Sequence, residues 1–188
     1  TNTVWAFPDR GKWATHDAKY RGNWSPYIPR NVILRYSQEG DTVLDPFVGG
    51  GTTAVEAKLT NRNFVGFDIN PNAVELSRKK CEFQFDTTAS SVIDMADARK
   101  LPLADNSVDL ICSHPPYADI IHYSDDIEGD LSLLPMKAFL FEMGKVADEF
   151  HRVLKKDRFC AILIGDMRKK GMVQPLAFET MRVFELAG

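Results

Sequence analysis

Apolar and polar positions alternate along this chain in two periods. Five short, nearly continuous apolar runs have the length of buried parallel strands: Thr42–Asp45, Phe64–Asp68, Ser91–Met95, the first half of Val108–Tyr117, and Phe159–Ile164. Between them, apolar residues recur at helical spacing. Met136, Phe139, Leu140, Met143, Val146, Phe150, Val153 and Leu154 mark a long amphipathic helix from about Pro135 to Lys155. Shorter helices are predicted at about Pro29–Gln38, from Thr52 to about Leu59, from Pro71 (capped by Asn70) to Cys81–Phe83, and at about Gln174–Leu186. Lys156, Asp157 and Arg158 read as a turn ahead of the fifth strand. Alternating strand and helix predicts an α/β fold of Rossmann-like type, with a mainly parallel sheet and helices on both faces. Residues 1–36 form an N-terminal arm with a short helix, and residues 37–188 form the core. A fold of this type is expected to continue into a further strand, so the core reads as lacking its final strands.

The polar punctuation falls at the carboxyl ends of the strands, where open α/β sheets bind ligands. Pro46-Phe47-Val48-Gly49-Gly50-Gly51 is a glycine-rich turn opening a helix whose first N–H groups are unpaired. The second strand ends on Asp68, 19 residues after Gly49, the spacing at which an acid meets a ribose in a Rossmann-like unit. Asp97 follows the third strand. The fourth runs into Pro115 and Pro116, which lack N–H groups and force the chain out of the ladder. A rigid acceptor carbonyl beside Tyr117 suits a flat molecule carrying an amino group, although the same residues also make a plain stop after a core strand. The connection 118–134 holds five acids and is long enough to suggest a functional loop.

Composition adds three points. A hydrophobic fraction of 44% is enough for a core and argues against disorder. The net charge of −3 hides an asymmetry: residues 1–36 carry six Lys/Arg against two Asp, a net +4 that leaves −7 for the rest. With Trp5, Trp13 and Trp24, the arm suits a polyanion, or else it is a solvated face packed on the domain. Cys81, Cys112 and Cys160 form no Cys-x-x-Cys, and Cys112 and Cys160 lie in apolar runs, so buried free thiols in a reducing compartment are expected. No run has transmembrane length and the start lacks a signal pattern, so the expectation is a soluble, cytoplasmic protein with no membrane contact.

Two motifs in order narrow the chemistry. Asp45-Pro46-Phe47-Val48-Gly49-Gly50-Gly51-Thr52-Thr53, followed by Ser113-His114-Pro115-Pro116-Tyr117, resembles the DNA amino-methyltransferases. Their first motif is Asp-Pro-Phe-x-Gly-x-Gly-Thr-Thr, and their catalytic tetrapeptide is Asp, Asn or Ser before Pro-Pro-Tyr. Asn23–Pro29 is similar to the family's extra cofactor motif, so the resemblance covers about Trp24 to Gly188. The nicotinamide fingerprint, with its third spaced glycine, is not matched. The resemblance implies S-adenosylmethionine as cofactor and no metal. It implies that Asp45, Phe47, Gly49, Gly51 and Thr52 cradle the methionine part, while Asp68 accepts from both ribose hydroxyls. Asp97 would accept from the adenine amino group, Ile69 and Ala98 would line the ring, and Ser25, Pro26 and Pro29 would close over the methionine end. It further implies DNA as partner, site-specific methylation of an exocyclic amino nitrogen, and room for a restriction-modification partner. The oligomeric state stays open.

The tetrapeptide has a chemical reason. An aromatic amine is a poor nucleophile because its lone pair is delocalised into the ring. The resemblance implies that the Pro115 carbonyl and the preceding side chain accept its two protons and aim its lone pair, while Tyr117 stacks on the flipped base. His114 stands where an acid, amide or hydroxyl is expected. Neutral imidazole accepts a hydrogen bond and imidazolium does not. If His114 is the acceptor, transfer should fall on acidification between about pH 8 and about pH 5.5. If Ser113 is the acceptor, His114 is spacing. A Ser at this place leans toward cytosine-N4 over adenine-N6. His122 and Tyr123 either touch the base or pack. Two rivals remain: an RNA guanine amino-methyltransferase, and a non-catalytic subunit of the same fold that only binds nucleic acid or a partner. The target-reading region is either the acidic loop 118–134 or sequence beyond Gly188.

Overall fold

The computed structural model describes residues 4–188; residues 1–3 of the predicted arm lie outside the described residues. Five strands, β1 (Thr42–Asp45), β2 (Asn63–Asp68), β3 (Ser91–Met95), β4 (Val108–Ser113) and β5 (Leu154–Ile162), form one parallel sheet in the order β3-β2-β1-β4-β5. The order reverses between β1 and β4, which opens a crevice beyond their carboxyl ends.

Strand alternation divides the core. Val43, Phe64, Ile93 and Leu110 pack under α1 (Tyr27–Tyr36), α2 (Thr52–Leu59) and α3 (Pro71–Lys80). Leu44, Val65 and Ile111 pack on the other face under α4 (Met136–Val153) and α5 (Leu176–Ala187). Central strands buried on both faces explain the continuous apolar runs. The cover thins at the edges, where Val92 and Met95 of β3 and Phe159 of β5 are exposed. Cys160, expected to be buried, is exposed on that β5 edge, while Cys112 in β4 is buried.

Three elements differ from expectation. Helix α1 begins at Tyr27, and Pro29 sits in its first turn, where the missing N–H has no partner to lose. Lys156–Arg158 is not a turn before the fifth strand but a bulge inside it: Val108 pairs with Leu154 and Leu110 with Phe159, with Asp157 at φ 61°. The bulge is held because Lys155 Nζ contacts both Asp109 carboxylate oxygens at 2.9 Å and Arg158 lies 3.1 Å from one of them. A hairpin, β6 (Met167–Lys169) with β7 (Met172–Gln174), turns on Lys170 and Gly171, both at positive φ.

The arm packs onto the body. Trp24, buried at 7% exposure, joins the α1–α2 core. Several arm cations face inward: Arg10 donates to the Asn23 and Trp24 carbonyls, Arg30 pairs with Glu56, and Arg35 lies 4.7 Å over the Trp5 ring. Among the described residues no helix is long and apolar enough to cross a membrane.

Candidate active site

Strand β1 ends on Asp45, whose carboxylate joins three elements. Its Oδ1 accepts from the Phe47 amide at 3.1 Å and from Ser113 Oγ at 2.9 Å, and its Oδ2 accepts from Thr53 Oγ1. Burial pushes its pKa up to about 6. The turn then needs left-handed backbone at Gly49 (φ 46°) and Gly51 (φ 78°). A Cβ at Gly50 would stand 2.9 Å from the Tyr20 side chain, so glycine there lets the arm pack directly on the turn.

Two acids rim the same cavity. Asp68 accepts from the Gly49 amide at 2.9 Å and the Asn70 amide at 3.0 Å, and burial raises its pKa to about 6. Asp97 accepts from Arg99 Nε and Nη2, and Arg99 also reaches Glu142 at 2.6 Å and the Gly129 carbonyl at 3.2 Å. Burial opposes ionisation of Asp97, but the Arg99 guanidinium outweighs it and holds the carboxyl below its ordinary range. Ile69, Ala96 and Ala98 form an apolar wall beside these acids.

The end of β4 supplies the opposite wall through His114 and Pro116. The His114 ring stacks on Trp24 (centroids 5.3 Å apart, 23° between planes), and its Nε2 lies 3.2 Å from the Tyr117 hydroxyl. Burial drives its pKa down to about 4. The imidazole is therefore neutral across the range from about pH 8 to about 5.5, and any His114-linked loss lies below that range rather than within it. The arm and the long loop make the roof: Tyr20 and Tyr123 stack at 5.9 Å with 11° between planes.

Of the residues singled out from sequence, Asp45, Phe47, Gly49, Asp68, Ile69, Asp97, Ala98, His114 and Pro116 line this cavity. Gly51 and Thr52 stand just behind it, at the start of α2, and Pro115 is buried. Ser113 is fully buried with its hydroxyl committed to Asp45. Tyr117 sits edge-on to His114. Ser25, Pro26 and Pro29 do not line it: Ser25 Oγ donates to the Arg10 carbonyl, and Pro26 and Pro29 are buried around the start of α1. The arm reaches the cavity instead through Tyr20, Gly22, Asn23 and Trp24. Asn23 and Trp24 open the motif quoted above, Tyr20 belongs to the aromatic arm and Asp130 to the acidic loop, while Arg99 left no signal in the sequence. Of the loop pair, Tyr123 lines the cavity and His122 is exposed.

A DNA methylase family model matches residues 1–79, and a methyltransferase domain model matches residues 44–162. The chain is 40% identical over 79 residues to the type II methyltransferase M.BglI of Bacillus subtilis, covering 42% of this chain and 22% of that protein. It is 40% identical over 76 residues to the type II methyltransferase M2.DpnII of Streptococcus pneumoniae, covering 40% and 27%. It is also 39% identical over 99 residues to a tRNA (guanine(10)-N2)-dimethyltransferase of Methanothermobacter thermautotrophicus, covering 52% and 29%. Each match thus spans less than a third of the relative's length. Among solved structures, the [4+2]-cyclase SpnF superposes with a TM-score of 0.63 at 18% identity, covering 92% of this chain and 60% of that one. A SAM-dependent methyltransferase from Aquifex aeolicus gives 0.58 at 20%, covering 85% and 78%. At such identities these two establish the fold alone. The domain match takes in well over half of the 188 residues, and the chain belongs to the methyltransferase domain family.

Proposed function

We propose that this chain is the cofactor-binding and catalytic part of a DNA amino-methyltransferase that uses S-adenosylmethionine and acts on an exocyclic nitrogen of a flipped base. The observation that carries this reading is the meeting of His114 and Pro116 with the glycine turn, Asp68 and Asp97 on one cavity at the switch point.

The residues present suit that cofactor. The turn lines the cavity through Gly49 and Gly50, which put no side chain into it, and the two acids flank an apolar wall fit for an adenine ring. When bound, S-adenosylmethionine supplies a methyl group on a positively charged sulfur. The chain's own part is to hold and align. Asp68 accepts from the ribose hydroxyls. Asp97 stands beside the apolar wall where an adenine ring would lie, with both of its carboxylate oxygens already bonded to Arg99. The Pro115 carbonyl, between the lining residues His114 and Pro116, accepts one proton of the target amine. His114 accepts the other through Nδ1, with Nε2–H donating to the Tyr117 hydroxyl, because Ser113 serves Asp45. A pKa of about 4 keeps the imidazole an uncharged acceptor at neutral pH.

The pKa values separate binding from turnover. Asp68 has a raised pKa, so its carboxylate is complete above about pH 6 and lost below it. The Kd for S-adenosylmethionine should therefore rise by up to about tenfold per unit below pH 6. Turnover at saturating cofactor should hold until pH approaches 4, where His114 charges. Titration calorimetry and single-turnover rates across this range check both arms.

A second reading rests on the tRNA methyltransferase match, which covers 52% of this chain. Incubation with labelled S-adenosylmethionine and either DNA or tRNA, followed by mass spectrometry of the nucleosides, separates the two. N4-methylcytosine or N6-methyladenine is the expected product; N2-methylguanine would establish the second reading in its place.

A further inference from the structure

Glu56 lies on α2, one turn beyond the glycine motif, and is fully buried. Its Oε1 accepts from Trp13 Nε1 and lies 2.7 Å from His16 Nε2, and its Oε2 accepts from Arg30 Nη1 at 3.0 Å. Nothing in the proposed chemistry uses this carboxylate, and a buried acid of this kind is costly unless fully partnered. Its three partners come from the arm and the start of α1, and they bracket the stretch that carries Tyr20, Gly22, Asn23 and Trp24. Trp13 packs edge-on against Tyr27 at 4.8 Å, which ties the two flanks to each other. Within the stretch itself the polar ties to the body are Lys80 with Asp17 at 3.0 Å and Thr52 Oγ1 donating to Asn23, beside the ring contacts of Tyr20 with Tyr123 and of Trp24 with His114.

We propose that Glu56 is a positioning residue: one buried carboxylate pins both flanks of segment 17–29 and thereby holds the arm's part of the cavity wall over the glycine turn. The inference rests on the cofactor reading above and adds to it the device that sets the cofactor's affinity. It works at a distance, since Glu56 itself is absent from the cavity lining. With the carboxylate neutralised, Arg30 loses its charged partner, the flanks loosen, and Tyr20 and Trp24 leave their places for part of the time.

The test uses the whole chain. Glu56→Gln is isosteric and keeps one acceptor oxygen. Trp13→Phe removes a single donor while keeping the aromatic packing, and it answers the question if the first variant does not fold. Phe150→Leu, in the core on the opposite face, controls for general loss of stability. Each variant is titrated with S-adenosylmethionine at a temperature where it is fully folded, with amide exchange of residues 13–30 followed in parallel. Expected are a Kd raised about tenfold in Glu56→Gln and about threefold in Trp13→Phe, faster exchange in the arm, and wild-type affinity in Phe150→Leu. Wild-type affinity in a folded Glu56→Gln or Trp13→Phe variant overturns the inference. Failure of the unaltered chain to bind S-adenosylmethionine overturns instead the cofactor reading beneath it.

Discussion

Replacing Asp68 by Ala weakens S-adenosylmethionine binding by about 100-fold or more. The estimate follows from two hydrogen bonds to an ionised acceptor, each worth about 1.5–3 kcal/mol, with about 1.4 kcal/mol per factor of ten. A second effect adds to the first. Asp68 accepts from the Gly49 and Asn70 amides, so it also shapes the turn that the cofactor lies against. Asp68→Asn keeps the shape but sets an NH₂ group against one of those amides, two donors facing each other. Its expected loss is nearer tenfold. Calorimetric titration at pH 7.5 reads both variants, and an Ala variant binding within threefold of wild type removes Asp68 from the cofactor site.

Replacing His114 by Ala lowers the single-turnover rate about 100- to 1,000-fold, the range for losing one aligned hydrogen-bond partner in a preorganised site. The Kd for cofactor should change far less than the rate, because the lost polar contact is to the amine being methylated and only the stacking on Trp24 touches the cofactor wall. His114→Asn restores a neutral acceptor and should recover about a tenth or more of the rate. Ser113→Ala makes the contrast. Its hydroxyl is fully buried and donates to Asp45, so the expected loss is about 1–2 kcal/mol of stability with the rate little changed. Should Ser113→Ala abolish transfer while His114→Ala leaves it intact, the two residues exchange roles.

Much of this architecture was legible from the chain alone, for identifiable reasons. Central strands have to be apolar on both faces, so β1, β2 and β4 announce themselves, and the glycines and prolines mark where those strands stop. Asp68 and Asp97 were found because they follow strands next to a glycine turn. What was missed depends on contacts distant in sequence. Lys156–Arg158 looks like a turn until Asp109, on a neighbouring strand, holds that stretch in the sheet. Tyr20 and Arg99 sit in stretches with no periodicity, and only folding brings one over Gly50 and the other against Asp97 and Gly129. Ser113 and His114 were inseparable as acceptors on paper. Strand alternation separates them, turning Ser113 inward to Asp45 and His114 to the cavity. The low pKa of His114 likewise comes from burial beside Trp24, a neighbour 90 positions away.

The most direct test of the account is a crystal structure of this chain with S-adenosylhomocysteine. The account predicts the ribose diol on Asp68, the adenine beside Asp97, and the sulfur opposite the Pro115 carbonyl and His114. A ligand seated elsewhere, or a Pro115 oxygen turned into the protein and away from that sulfur, would contradict it.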